Sequence, residues 1–369
     1  MKGTAMAAKI RLGLIGASVR GTWSSRSHLP AVQASADVEL TAVCTTRADS
    51  AEAARQAYGA RLAFDDYRKM IASPEIDAVA VVVRVPSHYA PTKAALEAGK
   101  HVYCEWPLGR TTAEAEELAA LAKARGLVTA IGLQARVNPA LIYLKELVVA
   151  GYVGEMMAVH VVMIRDGVLT RPSHRTWQRD AELGANTLTI ANGHTIDAMC
   201  FVTGDFSRLS AVVATQAKQW LDTGANTLLD VTAPDNIVVA GRLANGAVVS
   251  SHVGHIPFAG SGYRMEIYGR EGTLMASGED SPQLGEVSLH GAKGARALAP
   301  IAVPERFKFA TAGTPSGEAA NVGQMYALFA KAVLGGEHRL PNFATAVDLH
   351  RLVDGIKQAS DTGREVGFA

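Results

Sequence analysis

Short apolar runs alternate with helical periodicity through the first 130 or so residues. Ile10–Ile15, Val38–Cys44, Ala78–Val83, His101–Cys104 and Val128–Gly132 are strand-length stretches. Between them, Ser50–Tyr58, Tyr67–Ile71, His88–Ala98 and Thr111–Arg125 read as helices, with Thr111 as a cap and Gly99 and Gly126 as stops. Strands apolar on both faces and alternating with helices require a parallel, doubly wound sheet. The rhythm changes after Gln134. A helix over Asn138–Ala150 stops at Gly151, and strand-like stretches follow at Met156–Ile164, Ser207–Ala214, Asn236–Leu243, Ala247–His255, Arg264–Gly269 and Gly272–Met275. Ala244-Asn245-Gly246 is hairpin punctuation. A helix near 186–201 interrupts the strands, helices near 319–334 and 343–360 close the chain, and Gly278–Pro300 reads as a turn-rich surface loop. The second half is thus expected to be α+β with an open, largely antiparallel sheet. One face is covered by helices and the other is available to a second subunit, so a homodimer or homotetramer is expected.

Composition narrows the class. A chain of 369 residues suits two cores, and 48% apolar with 19% charged residues and 35 glycines suits an α/β enzyme. A formal charge of +1 supplies no field for nucleic acid and no polybasic patch for a membrane. No apolar run reaches the roughly 18–20 residues that span a bilayer. The apolar part of MKGTAMAAKIRLGLIGAS leads straight into a glycine turn, so a first strand and a cytoplasmic location are expected. Cys44, Cys104 and Cys200 sit in apolar contexts and read as reduced buried thiols. No metal site is expected. C-x-x-C is absent, and the spacing of His252 and His255 puts them on opposite faces of a strand.

The chemistry starts at Gly13-Leu14-Ile15-Gly16-Ala17-Ser18-Val19-Arg20-Gly21, directly after the first strand. Gly16 permits a tight turn, Gly21 is expected to let a helix pack close to the sheet, and the amides from Ala17 to Arg20 face a pyrophosphate. Ser18 replaces the middle glycine of G-x-G-x-x-G. The prediction is an α/β Rossmann N-terminal domain over 1–134 and an α+β C-terminal domain over 135–369. The second strand ends in Thr45-Thr46-Arg47 with no carboxylate before Asp49, which favours NADP(H) over NAD(H), since two hydroxyls and a guanidinium suit a 2′-phosphate.

Further stretches carry a family resemblance. Val85-Pro86-Ser87-His88, Glu105-Trp106-Pro107 and Gly193-His194-Thr195-Ile196-Asp197 resemble motifs of the glucose–fructose oxidoreductase/inositol dehydrogenase/MocA family. Gly21-Thr22-Trp23, His28-Leu29-Pro30, Pro341-Asn342-Phe343 and His350-Arg351-Leu352 resemble the branch of the fungal galactose-pathway repressor. The resemblance implies that Val85, His88, Glu105, Trp106 and Gln134 also border the cofactor. It implies a cis Trp106–Pro107 bond as well.

In that family the proton machinery is a lysine, an aspartate and a histidine; the matching positions here hold Trp106, Ile190 and His194. An indole N–H donates a hydrogen bond but exchanges no proton near neutral pH. His194 is the remaining acid–base candidate, and Trp106, Trp177 and His194 are the candidate substrate contacts, with Arg175 and Thr176 at the rim. Arg136, Asn138 and Pro139 read as structural. The leading expectation is an NADP(H)-dependent oxidoreductase acting on a small molecule. A non-catalytic dinucleotide sensor and a lyase or hydrolase that recycles its NAD remain alternatives.

Overall fold

The computed structural model describes residues 9–336 and 339–368 and divides the chain into two compact units. One is the chain to Gln134 with Lys308–Val347; the other is Ala135–Phe307 with Asp348–Ala369. The stretch 308–347, read from sequence as part of the second domain, therefore packs with the first.

The first unit is a six-stranded parallel sheet of β1 (Ile10–Ile15), β2 (Val38–Cys44), β3 (Leu62–Phe64), β4 (Ala78–Val81), β5 (His101–Glu105) and β6 (Thr129–Gly132). Its order is β3-β2-β1-β4-β5-β6, the doubly wound order that leaves a crevice where the winding reverses beside β1. Val79, Ala80 and Val81 are wholly buried, as strands covered on both faces demand. Around the sheet lie α1 (Leu29–Ala34), α2 (Ala48–Tyr58), α3 (Tyr67–Ile71), α4 (Tyr89–Glu97) and α5 (Thr112–Ala124). The Thr111 side chain accepts from the Glu114 amide at 3.2 Å, and Gly59 ends α2 at φ 71°. Strand β3 escapes the sequence pattern because its three residues are only half-buried.

The returning stretch completes this unit. Pro341 accepts from the Ile131 amide at 2.9 Å, and the Phe343 amide donates to Thr129 Oγ1 at 3.3 Å. Within the helix Glu318–Val333, Tyr326 and Phe329 stack near Tyr103, with ring centroids 5.1 and 6.2 Å away.

The second unit begins with α6 (Pro139–Val149), capped by Asn138. Its strands are β7 (Met156–Arg165), β8 (Thr170–Arg171), β9 (Phe206–Ala214), β10 (Gln219–Asp222), β11 (Thr227–Asp230), β12 (Asn236–Leu243), β13 (Val248–His255), β14 (Gly262–Gly269), β15 (Gly272–Gly278), β16 (Ser288–Lys293), β17 (Ala299–Ile301) and β18 (Val366–Gly367). Nine form one open sheet in the order β17-β16-β15-β14-β7-β13-β12-β9-β18. All neighbours in it run antiparallel except β13 and β7. β11, β10 and β8 make a small second sheet over Trp220, Val168 and Val231.

Two sequence expectations need correction here. Gly278–Pro300 is not a plain surface loop: β16 lies in it and pairs with β15, with Leu289 buried. The glycines of that stretch, Gly291 within the strand among them, masked it. The single helix expected near 186–201 is a π turn over Thr187–Asn192, capped by Asn186, that runs into α7 (Gly193–Thr203). On the open sheet face, Val212, Val238 and Val248 are 61%, 42% and 46% exposed. Among the described residues no helix is long and apolar enough to cross a membrane. The helices Glu318–Val333 and Phe343–Thr362 are α8 and α9.

Two buried histidines give the fold an acid limit. Burial brings His350 down to about 4; burial and nearby arginines bring His255 to about 3. Unfolding releases both to the ordinary value near 6.5, so the unfolded chain binds more protons between the two values. Stability is therefore full above about pH 6.5 and falls as pH drops toward 4. We expect the melting midpoint to fall between pH 7 and pH 5, with His350→Phe flattening that fall. A slope unchanged in the variant would exclude His350 as its source.

Candidate cofactor and substrate sites

In the first unit, β1 ends in a turn that only glycine can make. Gly16 has φ 92°, and a Cβ there would lie 2.0 Å from the Val82 carbonyl oxygen. The Gly16 and Ala17 amides donate to the Cys44 carbonyl at 2.9 and 3.3 Å, which holds the turn against the end of β2. Ser24 Oγ donates to the Gly16 carbonyl at 2.8 Å, and Tyr58 donates to the Ser18 carbonyl at 3.0 Å. Ser18 is accommodated without a left-handed backbone, and its Oγ accepts from the Arg20 amide at 3.2 Å. Val19, Arg20 and Gly21 are exposed. The turn brings the backbone close with no side chain at Gly16, but the Ala17 amide is turned to Cys44 and the Arg20 amide to Ser18, and not outward as expected.

Gly21 differs from its expected role. Its φ is 37°, and a Cβ there would meet nothing within 4 Å, so it serves backbone conformation and not helix packing. The helix also begins later than the motif suggests, with a π turn at Ser24–His28 before α1.

At the end of β2, Thr45 Oγ1 is 2.7 Å from Ser50 Oγ and donates to the Arg47 carbonyl at 2.9 Å. The Arg47 guanidinium forks onto Asp49 at 2.9 and 3.1 Å, both exposed. This pairing holds the arginine charge at the strand tip and also neutralises part of it.

The β5 end is organised by a buried network. Glu105 Oε1 lies 2.9 Å from His28 Nε2 and accepts from Gln134 Nε2 at 2.8 Å. A carboxylate only accepts, so Nε2 of His28 carries the proton and Nδ1 accepts from the Tyr326 hydroxyl at 2.8 Å. Gly132 faces the same carboxyl; a Cβ there would lie 2.6 Å from Oε1. Glu105, Gln134 and His28 thus lock one another, and Trp106, the residue after Glu105, is 5% exposed. The Trp106–Pro107 bond is cis.

His88, expected beside the cofactor, faces backbone through both ring nitrogens. Its Nδ1 lies 2.6 Å from the Pro107 carbonyl and its Nε2 3.0 Å from that of Val83. Both ring nitrogens face backbone carbonyls, and the single N–H of the neutral ring donates to one of them. Burial pulls its pKa below the ordinary histidine value, and the two carbonyls oppose that pull. Val85, 5% exposed in a 3₁₀ turn, contributes packing beside it. Cys44, Cys104 and Cys200 are buried thiols pushed up by burial, Cys44 to about 12, so none supplies a thiolate.

The second unit carries a cleft of about 180 Å³. Arg165, Arg171, Arg175, Gln178, Ile190 and His255 are among its lining residues. His255 Nδ1 lies 2.8 Å from Thr187 Oγ1. His194 is one turn beyond Ile190, 5% exposed, and not in the lining; Trp177 lies between the lining residues Arg175 and Gln178 without joining them. The aspartate of the His194 motif is structural: the Arg136 guanidinium donates to the Asp197 carboxylate at 2.7 to 3.0 Å. Sequence reasoning missed Arg165, Arg171 and His255, because loops and separate strands scatter them over 90 residues with no shared spacing.

The doubly wound sheet with its glycine turn defines a dinucleotide-binding oxidoreductase-type protein. Residues 10–133 match the oxidoreductase family with an NAD-binding Rossmann fold, and residues 139–278 match the Gal80p C-terminal domain. Dehydrogenase aclE of Aspergillus oryzae is 30% identical over 285 residues, 74% of this chain and 78% of that protein. The chain belongs to the glucose–fructose oxidoreductase/inositol dehydrogenase/MocA family, on its Gal80-like branch. The galactose/lactose metabolism regulatory protein GAL80 of Saccharomyces cerevisiae is 28% identical over 66% of this chain and 60% of its own length. A crystal structure of its super-repressor mutant superposes with a TM-score of 0.86 at 22% identity, covering 98% of this chain and 99% of that one. Levoglucosan dehydrogenase in complex with NADH and L-sorbose gives 0.83 at 21%, covering 98% and 99%.

Proposed function

We propose that this chain is an NADP(H)-dependent oxidoreductase that moves a hydride to or from a small organic substrate, a carbonyl/alcohol pair, an imine or an activated alkene. The observation that carries the reading is the Gly16 turn, where the only side chain that fits is a hydrogen atom. Residues 16–21 would hold the pyrophosphate, and Thr45, Thr46 and Arg47 the adenosine ribose phosphate. The bound nicotinamide supplies the hydride chemistry. The second unit takes the substrate, and His194 gives or accepts its proton. NADP(H) is preferred because no acidic side chain ends β2 to meet a 2′-hydroxyl, while Arg47 stands there, held by Asp49. Two copies joined through the exposed valines of the open sheet form the working oligomer.

Nicotinamide absorbance followed over a panel of carbonyls, imines and enones tests the reading. Turnover with NADPH is expected, and His194→Ala should lower it by about 10²-fold. Arg47→Ala should weaken NADP(H) far more than NAD(H). Full turnover in the His194 variant removes its assignment, and equal effects on both cofactors remove that of Arg47.

A second reading is a dinucleotide-responsive regulator without catalysis. Trp106 and Ile190, neither able to move a proton, stand where the family's lysine and aspartate are expected, and the Gal80p likeness points the same way. Tight cofactor binding with no turnover across the panel selects it.

A further inference from the structure

Three guanidinium groups line the cleft of the second unit. Arg165 ends β7, Arg171 sits in β8 and Arg175 in the 3₁₀ segment Ser173–Arg179. Like charges gathered in one place repel, so such a cluster is stable only with negative charge among it. Arg165 pairs with Asp280 at 3.2 Å, Arg175 donates to Gln178 Oε1 at 3.2 Å, and among the described lining residues Asp166 is the only acid.

Arg171 shows where a negative charge would fit. Its Nη1 donates to the carbonyls of Gly167 at 2.6 Å and Thr170 at 2.8 Å, which uses both hydrogens of that nitrogen. The guanidinium carbon lies 4.5 Å from the Trp220 ring centroid, so aromatic stacking fixes its plane. Among the described residues it meets no carboxylate. The Nε and Nη2 edge, which matches the two oxygens of a carboxylate or phosphate, is left to a ligand. Burial, with Arg175 and Arg165 adding to it, lowers Arg171 to about 10, so the group stays charged at neutral pH. His255, lowered to about 3 by burial and the same arginines, is neutral there and offers a hydrogen bond without adding charge.

We propose that this cleft recognises the oxyanion of an acidic substrate, a carboxylate or phosphate ester on a short carbon chain, with Arg171 and Arg175 as its anchors. The inference rests on the reading that the second unit takes the substrate of a hydride transfer. The anionic group would then orient the molecule away from the reacting carbon, as a bidentate clamp does. A space of about 180 Å³ suits a small acid.

Calorimetric titration of the full chain with malonate, glycerol 3-phosphate and glycerol tests it. One or both anions should bind, more weakly as salt rises, and glycerol should not. Malonate alone assigns a carboxylate, and glycerol 3-phosphate alone a phosphate ester. Arg171→Met and Arg175→Met should each weaken the anion by about 10–100-fold, with Arg171→Lys intermediate. Dinucleotide affinity, a property of the first unit, should hold in all three variants, and an unchanged melting midpoint reports that the second unit folds. Absence of binding by both anions, or binding that both methionine variants retain, overturns the proposal. If uncharged carbonyls are turned over while neither anion binds, the anion site fails and the oxidoreductase stands. If anions bind but neither acidic nor neutral carbonyls oxidise NADPH, the oxidoreductase fails and the anion site stands.

Discussion

Replacing Gly16 by alanine should cut dinucleotide affinity by at least about 100-fold, by far the largest single effect on the cofactor. Two costs coincide there. An L side chain at φ 92° is strained by about 1–3 kcal/mol. The new methyl would also lie 2.0 Å from the Val82 oxygen and 2.9 Å from Val83 Cγ1. A flexible side chain could swing away, but Val82 is backbone, and its amide donates to the Ile15 carbonyl at 3.0 Å. Relief therefore moves the end of β1 away from β4 and carries the amides of Ala17 and Ser18 with it. Gly21→Ala is the matched control. With φ 37° and no atom within 4 Å, it should pay only the backbone strain and keep affinity within about tenfold. Titration with NADPH and NADH, alongside circular dichroism to confirm the fold, decides the matter. A Gly16→Ala protein that binds as tightly as the parent would mean that this turn does not hold the diphosphate.

The contrast between those two glycines also marks how far the sequence could be read. Both belong to one motif, yet only Gly16 touches a neighbouring strand. The motif records the spacing but not which glycine the sheet presses against. The parallel sheet itself was legible, because strands such as Ala78–Val81 are apolar on both faces and need no partner information to be recognised. Helix α8 is different. Its apolar stripe announces a buried face, but the stripe does not say which surface covers it. That Tyr326 reaches back 298 positions to His28 follows only from the fold. The Glu105 site shows the same limit. Sequence marked Glu105, Gln134 and His28 through separate motifs, whereas the structure makes them one hydrogen-bonded unit, with Gly132 bare so that the carboxyl fits. The resemblance put His88 beside the cofactor, and its two nitrogens face carbonyls that no spacing rule reveals. The arginines of the second unit were the least legible. Only Arg175 reads as a rim residue, and only the convergence of β7, β8 and the Ser173–Arg179 segment brings Arg165 and Arg171 to the same cleft.

Within the second unit, losing Arg136 should be the costliest change to stability. Asp197 is buried in α7 with its side chain 1% exposed, and Arg136 meets it through two nitrogens. Burial is the largest influence on Asp197 and lifts its carboxyl above the ordinary range; the charge and hydrogen bonds of Arg136 pull the other way. Arg136→Met removes that counterweight and strands the carboxylate, at a cost of about 3–5 kcal/mol, or about 6–20 °C in the melting midpoint of this unit. Asp197→Asn should cost less, because Arg136 is 25% exposed and can turn part of its charge to water. The pair Arg136→Met with Asp197→Leu should recover much of the loss, since matched apolar groups leave no buried charge behind. The pH dependence has a fixed sign. With its folded pKa raised further above the unfolded value, Asp197 in the Arg136→Met protein contributes stability below about pH 4 that is lost as pH rises through the raised value. The deficit against the parent should thus be smallest in acid and full at neutral pH. A double variant no more stable than Arg136→Met alone, or a deficit constant across that range, would show that the stranded charge is not what unfolds the protein.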